Sequence, residues 1–308
     1  MWVFNLHIGT LYPSLEDPRN KHHPSIPRLQ PILSDYHELD IATVSEEFLV
    51  DLCHRTEKEV GRIDREEYRP RVVRISEHIA VKYGCGVTAP EAATQDFAYR
   101  MADPRIVHIP RVYRYIQVDS EGLRSKGYIF MEYIPGKSLS DVDIESDANI
   151  VVRLAKVILH LSEIKGDTTP GPFGGGRPQG YIWGDDGAKT EFHSLEEMNV
   201  YMDKRLARRY DTIDLTPYPL VLCHLDMCRR NVILEEDNKS LCPVDWAYAG
   251  LYPRLFEFAM IPCTFPYDEA FEKPFMQELE ILMNFTAEEK QFMTLVRCVR
   301  AANLRWIL

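Results

Sequence analysis

Apolar residues change their spacing along the chain, and each change predicts an element. Residues 1–40 carry Pro13, Pro18, His22, His23, Pro24, Pro27 and Pro31 with no clean period, which predicts an extended arm. The His22–His23 pair has no third ligand in view and reads as ordinary surface. From Ser45 the run SEEFLVDLCHRTEKEVGR sets Phe48, Leu49 and Leu52 on one face, with acids in its first turn and Gly61 as a stop, so it predicts a helix. In RVVRISEHIAVKYG, residues 71–84, Val72, Val73 and Ile75 precede a short polar turn and Ile79 and Val81 follow it, a β-hairpin pattern. Lys82 closes that second strand inside an otherwise apolar run.

Residues 89–102, APEAATQDFAYRMA, predict a helix with Pro90 in its first turn and Glu91 directly after, an acid where a helix N-terminus favours negative charge. Strands follow at Val112–Val118 and Gly127–Tyr133, the second breaking at Pro135–Gly136. A strand that stops this way makes a natural connector between lobes, with backbone available to an adenine edge near Glu132. Beyond it, Ile150, Val151, Leu154, Val157, Ile158 and Leu161 form a helical stripe that reads as core. The glycine-rich run 168–187 lacks GxxxxGK[ST] and reads as a mobile surface loop at the mouth of a site. Helical spacing resumes at 194–209 and in the tail at 269–285 and 287–306.

The stretch HLDMCRRNVILEEDNKSLCPVDWAYAG, His224 to Gly250, holds the strongest chemistry. Val232 to Leu234 and Leu241 to Val244 flank an acidic and polar turn, so the pattern is strand, turn, strand. A hairpin brings its ends together, placing Asn231 beside Asp245 with Asp226 on the loop before them. Two oxygen ligands suit Mg²⁺, a hard cation that leaves positions for water and phosphate, and the spare carboxylate of Asp226 can orient a hydroxyl. Upstream, a strand lysine and a helix-start glutamate, Lys82 and Glu91, describe an ion pair that steers an ammonium onto nucleotide phosphates.

Composition narrows the classes. At 308 residues and 45% apolar content the chain can bury a core as one large domain or two small ones. A net charge of −11 and pI near 5.4, with no block of Lys and Arg, argue against nucleic acid as a partner. No apolar run approaches a membrane span, and the N-terminus has no basic and apolar leader pattern. The seven cysteines are scattered, with no CxxC pair, which favours reduced thiols in a cytoplasmic setting over disulfides or structural zinc. Nothing in the sequence sets an oligomeric state.

In order, Lys82, Glu91, the Met131–Gly136 connector, His224-x-Asp226-x4-Asn231 and Asp245–Trp246, with Ala249–Gly250, Pro253 and Glu257 after them, resemble the aminoglycoside phosphotransferase family. A Trp after the second Asp, and Cys228 where a protein kinase has a catalytic-loop lysine, point to the small-molecule branch. The resemblance covers roughly residues 70–260. It implies an α+β, two-lobed protein-kinase-like fold with a small antiparallel-sheet N-lobe, residues 1–131 with the arm, and a mainly helical C-lobe, residues 132–308. It implies ATP and Mg²⁺ as cofactors and a small-molecule hydroxyl as acceptor. Asp226 would be the catalytic base and His224 would brace its loop. Asn231 and Asp245 would hold Mg²⁺, and Lys82, paired with Glu91, would grip the α- and β-phosphates. Backbone groups near Glu132 and Ile134 would take the adenine. The chain departs from the pattern in having no glycine-rich loop before Lys82, only Ser76-Glu77-His78, in Leu225 where Gly is common, and in Ala247 where an acid often stands. The competing readings are a kinase-fold nucleotide-binding or regulatory protein without turnover and a metal-dependent phosphoester hydrolase, the latter short of His ligands.

Overall fold

A computed structural model describes residues 40–64, 70–119, 124–144, 147, 149–264 and 267–305. The proline- and histidine-rich arm, with His22 and His23, lies outside them. The first element among the described residues is helix α1, Glu46–Glu59, capped by Ser45, whose Oγ accepts the Phe48 N–H at 3.3 Å. Its Leu49, Leu52 and Cys53 face an antiparallel sheet of order β1-β2-β4-β3, built from Arg71–Arg74, Ile79–Gly84, Val112–Val118 and Lys126–Glu132. Fully burying each such leucine contributes roughly 1.5–3 kcal/mol. Because β2 is central in the sheet, its register sets Lys82 opposite Val72 and Ile129, so the lysine is buried instead of snorkelling from an edge.

Helix α2, Ala89–Met101, connects β2 to β3 and begins at Thr88, whose Oγ1 accepts the Glu91 N–H at 3.3 Å. Its later residues Phe97 and Ala98 join the larger, C-terminal core, whereas Val73, Val81, Tyr128 and Phe130 belong to the smaller one. Its earlier Ala92 packs instead with Val87 and Ile129 of β4, so the helix that carries Glu91 touches the sheet at its start and the larger core at its end.

After β4 the chain crosses to a second sheet of order β5-β7-β8, namely Gly136–Ser138, Val232–Glu235 and Leu241–Pro243. Gly136 is required there, since a Cβ would sit 2.4 Å from the Leu234 carbonyl oxygen. The remaining pair joins β6, Leu220–Cys223, to β9, Gly250–Pro253. Around these short strands pack α3, Asn149–Leu161, α4, Leu195–Leu206, α5, Leu255–Met260, α6, Glu269–Met283, and α7, Ala287–Arg305. The α3 stripe, with Trp246, Phe256, Phe271 and Phe275, forms the centre of the larger core. Antiparallel sheet lobe, connector and helical lobe are thus α+β, as the resemblance implies. No helix among the described residues is long and apolar enough to cross a membrane, and the seven cysteines are unpaired.

Candidate active site

The loop from His224 to Asn231 leaves β6 inside the larger core. Its His224 is fully buried, its Nε2 lies 3.2 Å from the Val244 carbonyl, and its ring meets Trp246 edge-on at 4.9 Å. Burial pulls the His224 imidazole down to about 4, so it is neutral at neutral pH. Leu225 adopts φ +63°, a left-handed conformation that favours glycine. The backbone N–H groups of His224 and Leu225 donate to one oxygen of buried Glu257, at 2.6 and 3.0 Å. That glutamate, known from the sequence only as the last letter of a pattern, fixes the backbone at the start of the His224–Asn231 loop.

Asp226 lies at the turn of this loop, 3% exposed. Asn231 Nδ2 donates to its Oδ2 at 2.8 Å and to its backbone oxygen at 3.0 Å. Arg230 Nη2 reaches both carboxylate oxygens, at 2.8 and 2.9 Å, a partner the motif did not reveal. The hairpin ends meet as expected: Val232 pairs with Pro243, and the Val244 N–H donates to the Asn231 carbonyl at 2.8 Å. The next residue, Asp245, takes φ +67°, which turns its side chain out of the hairpin.

That turn delivers Asp245 to Lys82. The Lys82 ammonium donates to Asp245 Oδ1 at 2.7 Å and to the Glu91 carboxylate. Lysine and glutamate are both buried, at 5% and 3% exposure. Burial alone would lower the Lys82 pKa, but the charges of Asp245 and Glu91 outweigh it and hold the lysine above its ordinary value. Burial, opposed by Lys82 and aided by Asp245, raises Glu91. One cation thus ties sheet, helix α2 and hairpin into a single cluster.

Asn231 and Asp245 offer an amide oxygen and a carboxylate, an all-oxygen set that fits a hard cation completing its shell with phosphate and water. No cluster of three or more His, Cys, Asp or Glu able to hold a metal occurs among the described residues.

At the connector, the Glu132 N–H donates to the Arg111 carbonyl at 2.9 Å and Ile134 is buried. The Glu132 side chain faces His108, whose Nε2 lies 3.3 Å from it while Nδ1 lies 2.9 Å from Glu235 of β7. The hydrogen bond to Glu132, opposed by burial and aided by Glu235, pushes His108 up to about 9, so a charged histidine clamps the connector to the second sheet. The Ser76-Glu77-His78 turn also closes on the connector: the Tyr133 N–H donates to the His78 carbonyl at 2.9 Å, and Arg74 stacks 4.0 Å over the Tyr133 ring. Glu77 is exposed.

The glycine-rich run differs from the free surface loop its composition predicts. Gly171 exchanges backbone hydrogen bonds with Leu251 at 3.1 and 2.7 Å, Phe173 stacks on Phe97 at 4.2 Å, and the Phe173 N–H donates to Thr94 Oγ1 at 2.9 Å. Its glycines allow close approach, so it clasps helix α2 to β9. A cavity of about 350 Å³, lined by Thr88, Glu91, Arg177, Ala247 and Ala249 among others, opens beneath the clasp.

This chain belongs to the phosphotransferase enzyme family, whose model matches residues 62–288. The class is that of small-molecule kinases. No curated protein matches the chain. Among solved structures, it is similar to a thermostable mutant of aminoglycoside phosphotransferase APH(4)-Ia in its apo form, at 16% identity over 84% of this chain and 89% of that one, TM-score 0.52. It is also similar to a microcompartment-associated aminopropanol kinase, at 15% identity over 82% and 86%, TM-score 0.50. At such identities the likeness establishes the two-lobed fold.

Proposed function

We propose that the protein transfers the γ-phosphoryl group of ATP to a hydroxyl of a small molecule, with a lobe boundary between residues 131 and 132. The observation that carries this reading is the bonding of Lys82 to both Glu91 and Asp245, across 163 residues of sequence in the second case. A buried cation shared by a helix and the metal-side aspartate has its use when phosphates arrive between them. Lys82 would bind the α- and β-phosphates. Asn231 and Asp245 would hold Mg²⁺, which when bound neutralises charge on the phosphate oxygens. The connector would take adenine through the Glu132 carbonyl and Ile134 N–H, the Glu132 N–H being bonded to Arg111.

Asp226 accepts the proton of the acceptor hydroxyl as its oxygen attacks the γ-phosphorus and the bond to the ADP oxygen breaks. Because this step needs little covalent participation from protein, positioning and charge carry the rate. A net charge of −11 and a pI near 5.4 favour a small acceptor over nucleic acid.

The test is a thermal-shift titration with Mg-ATP on the wild type and Asp245→Asn. Saturating nucleotide raises the wild-type Tm in a Mg²⁺-dependent way, by mass action, and the variant loses that dependence; a wild type unmoved by Mg-ATP contradicts the reading. The turn without glycines before Lys82 favours a second reading, a nucleotide-binding regulator without turnover. In that case Mg-ATP stabilises the protein but no acceptor consumes it.

A further inference from the structure

We infer that Arg230 is directed at the transferring phosphoryl group, holding Asp226 while the site is empty and moving onto the γ-phosphate when nucleotide binds; this rests on the phosphotransferase reading above. The cations around the site divide by what they touch. Lys82 is engaged with Glu91 and Asp245 on the nucleotide-metal side. Arg229 turns away and donates to the Leu139 and Val142 carbonyls at 2.9 and 2.6 Å, and to Asp268 at 2.8 Å, so it pins the loop to the segment after β5. Arg230 alone of these three reaches the base. Its Nη2 meets both oxygens of Asp226, at 2.8 and 2.9 Å, and the Tyr181 hydroxyl, at 3.1 Å. Its side chain is 17% exposed and that of Asp226 is 4% exposed.

Two features make this more than a surface ion pair. A carboxylate that orients a hydroxyl for attack on phosphate stands close to an anion, and a guanidinium between them removes the repulsion while offering donors to equatorial oxygens. Cys228, two residues beyond Asp226, can supply no such charge, because a thiol is neutral or anionic and never cationic; burial first, then the Asp226 charge, keeps it neutral. The short helical turn Arg229–Asn231 sets Arg230 four residues beyond Asp226 and directly before Asn231. Asp226 is thus held from two neighbouring positions of one turn, by the Arg230 guanidinium and by Asn231 Nδ2 at 2.8 Å. Tyr181, which packs edge-on against Tyr248 at 5.4 Å, gives the arginine a second contact.

A cation aimed at the γ-phosphate discriminates between nucleotides that have one and those that do not. Calorimetric titrations with Mg²⁺ plus AMP-PNP, and with Mg²⁺ plus ADP, on the wild type, Arg230→Lys and Arg230→Met read this directly. The wild type is expected to bind AMP-PNP more tightly than ADP. Arg230→Met loses about tenfold of that preference with ADP affinity held, in line with loss of one charged hydrogen bond, and Arg230→Lys recovers part of it. With an acceptor in hand, kcat of Arg230→Met falls about 100-fold with little change in the acceptor KM. If Arg230→Met does not fold because Asp226 is left uncompensated, the double variant Arg230→Met/Asp226→Asn removes both charges and supports the same comparison. An unchanged AMP-PNP to ADP ratio, or an equal loss for both nucleotides, overturns the proposal while leaving the phosphotransferase reading intact. A wild type that binds neither nucleotide overturns both.

Discussion

Glu257→Gln separates a buried carboxylate's charge from its hydrogen bonding. Glu257 is 4% exposed and accepts the N–H groups of His224 and Leu225, at 2.6 and 3.0 Å. Burial raises its carboxyl from the ordinary 4.5 to about 7, against the lowering effect of those two N–H groups and with help from the Asp226 charge. An acid whose folded pKa lies above its unfolded value binds protons more tightly when folded, so stability falls as pH rises from 4.5 through about 7. At about 1.4 kcal/mol per pH unit the loss is on the order of 3 kcal/mol. His224 works the other way: lowered to about 4 by burial, it makes stability rise with pH between there and its unfolded value near 6.5. The wild-type profile thus mixes two opposed slopes, and the difference between wild type and Glu257→Gln isolates one. Gln keeps an acceptor for both N–H groups and cannot ionise. Urea unfolding at pH 5 and pH 8 should show the glutamine variant gaining roughly 3 kcal/mol on the wild type across that interval. A difference constant to within about 0.5 kcal/mol would refute the assignment of a displaced, ionising carboxyl behind the His224–Asn231 loop.

Other perturbations have equally definite signs. Lys82→Met leaves Glu91 and Asp245 without their shared cation; it should lower stability by about 3–5 kcal/mol and abolish Mg-ATP stabilisation in a thermal-shift titration. His108, raised to about 9 by its hydrogen bond to Glu132, contributes stability in full below its unfolded value near 6.5 and loses it as pH rises through about 9, so the unfolding free energies of wild type and His108→Gln should converge between pH 7 and pH 10. Gly136→Ala places a Cβ 2.4 Å from the Leu234 oxygen and 2.6 Å from Ile233 Cγ2; urea titration should show a loss of about 1–3 kcal/mol from the forced separation of β5 and β7.

What could be read in advance was whatever local pattern determines. Val232 to Leu234 and Leu241 to Val244 announce a hairpin around a polar turn, and a hairpin's ends must meet, so the closeness of Asn231 and Asp245 followed. Lys82 stood out only as a charge at the end of an otherwise apolar strand; that the strand is central, so that the lysine is buried and needs partners, came with the sheet order. Strands β5, β6 and β9, of three or four residues each, are too short to show a period. Glu257 binds backbone amides 32 and 33 residues away, and backbone groups leave no mark on sequence. Leu225 announced only that a glycine was absent; its φ of +63° shows that the left-handed turn is kept despite the side chain. Arg230, four residues beyond Asp226, was within reach of a spacing argument, but motif letters draw attention to the residues they contain. The glycine-rich run advertised flexibility, whereas Phe173 against Phe97 anchors it. That contact joins residues 76 apart and could be inferred only from the assembled fold.

Incubation of the wild type and Asp226→Ala with γ-labelled ATP, Mg²⁺ and a mixture of small hydroxylated metabolites tests phosphoryl transfer most directly. Wild-type protein should move label into at least one small alcohol, and Asp226→Ala should lower that transfer by at least about 100-fold. Label that stays on ATP across the mixture, or that reaches the same product equally with Asp226→Ala, would contradict it.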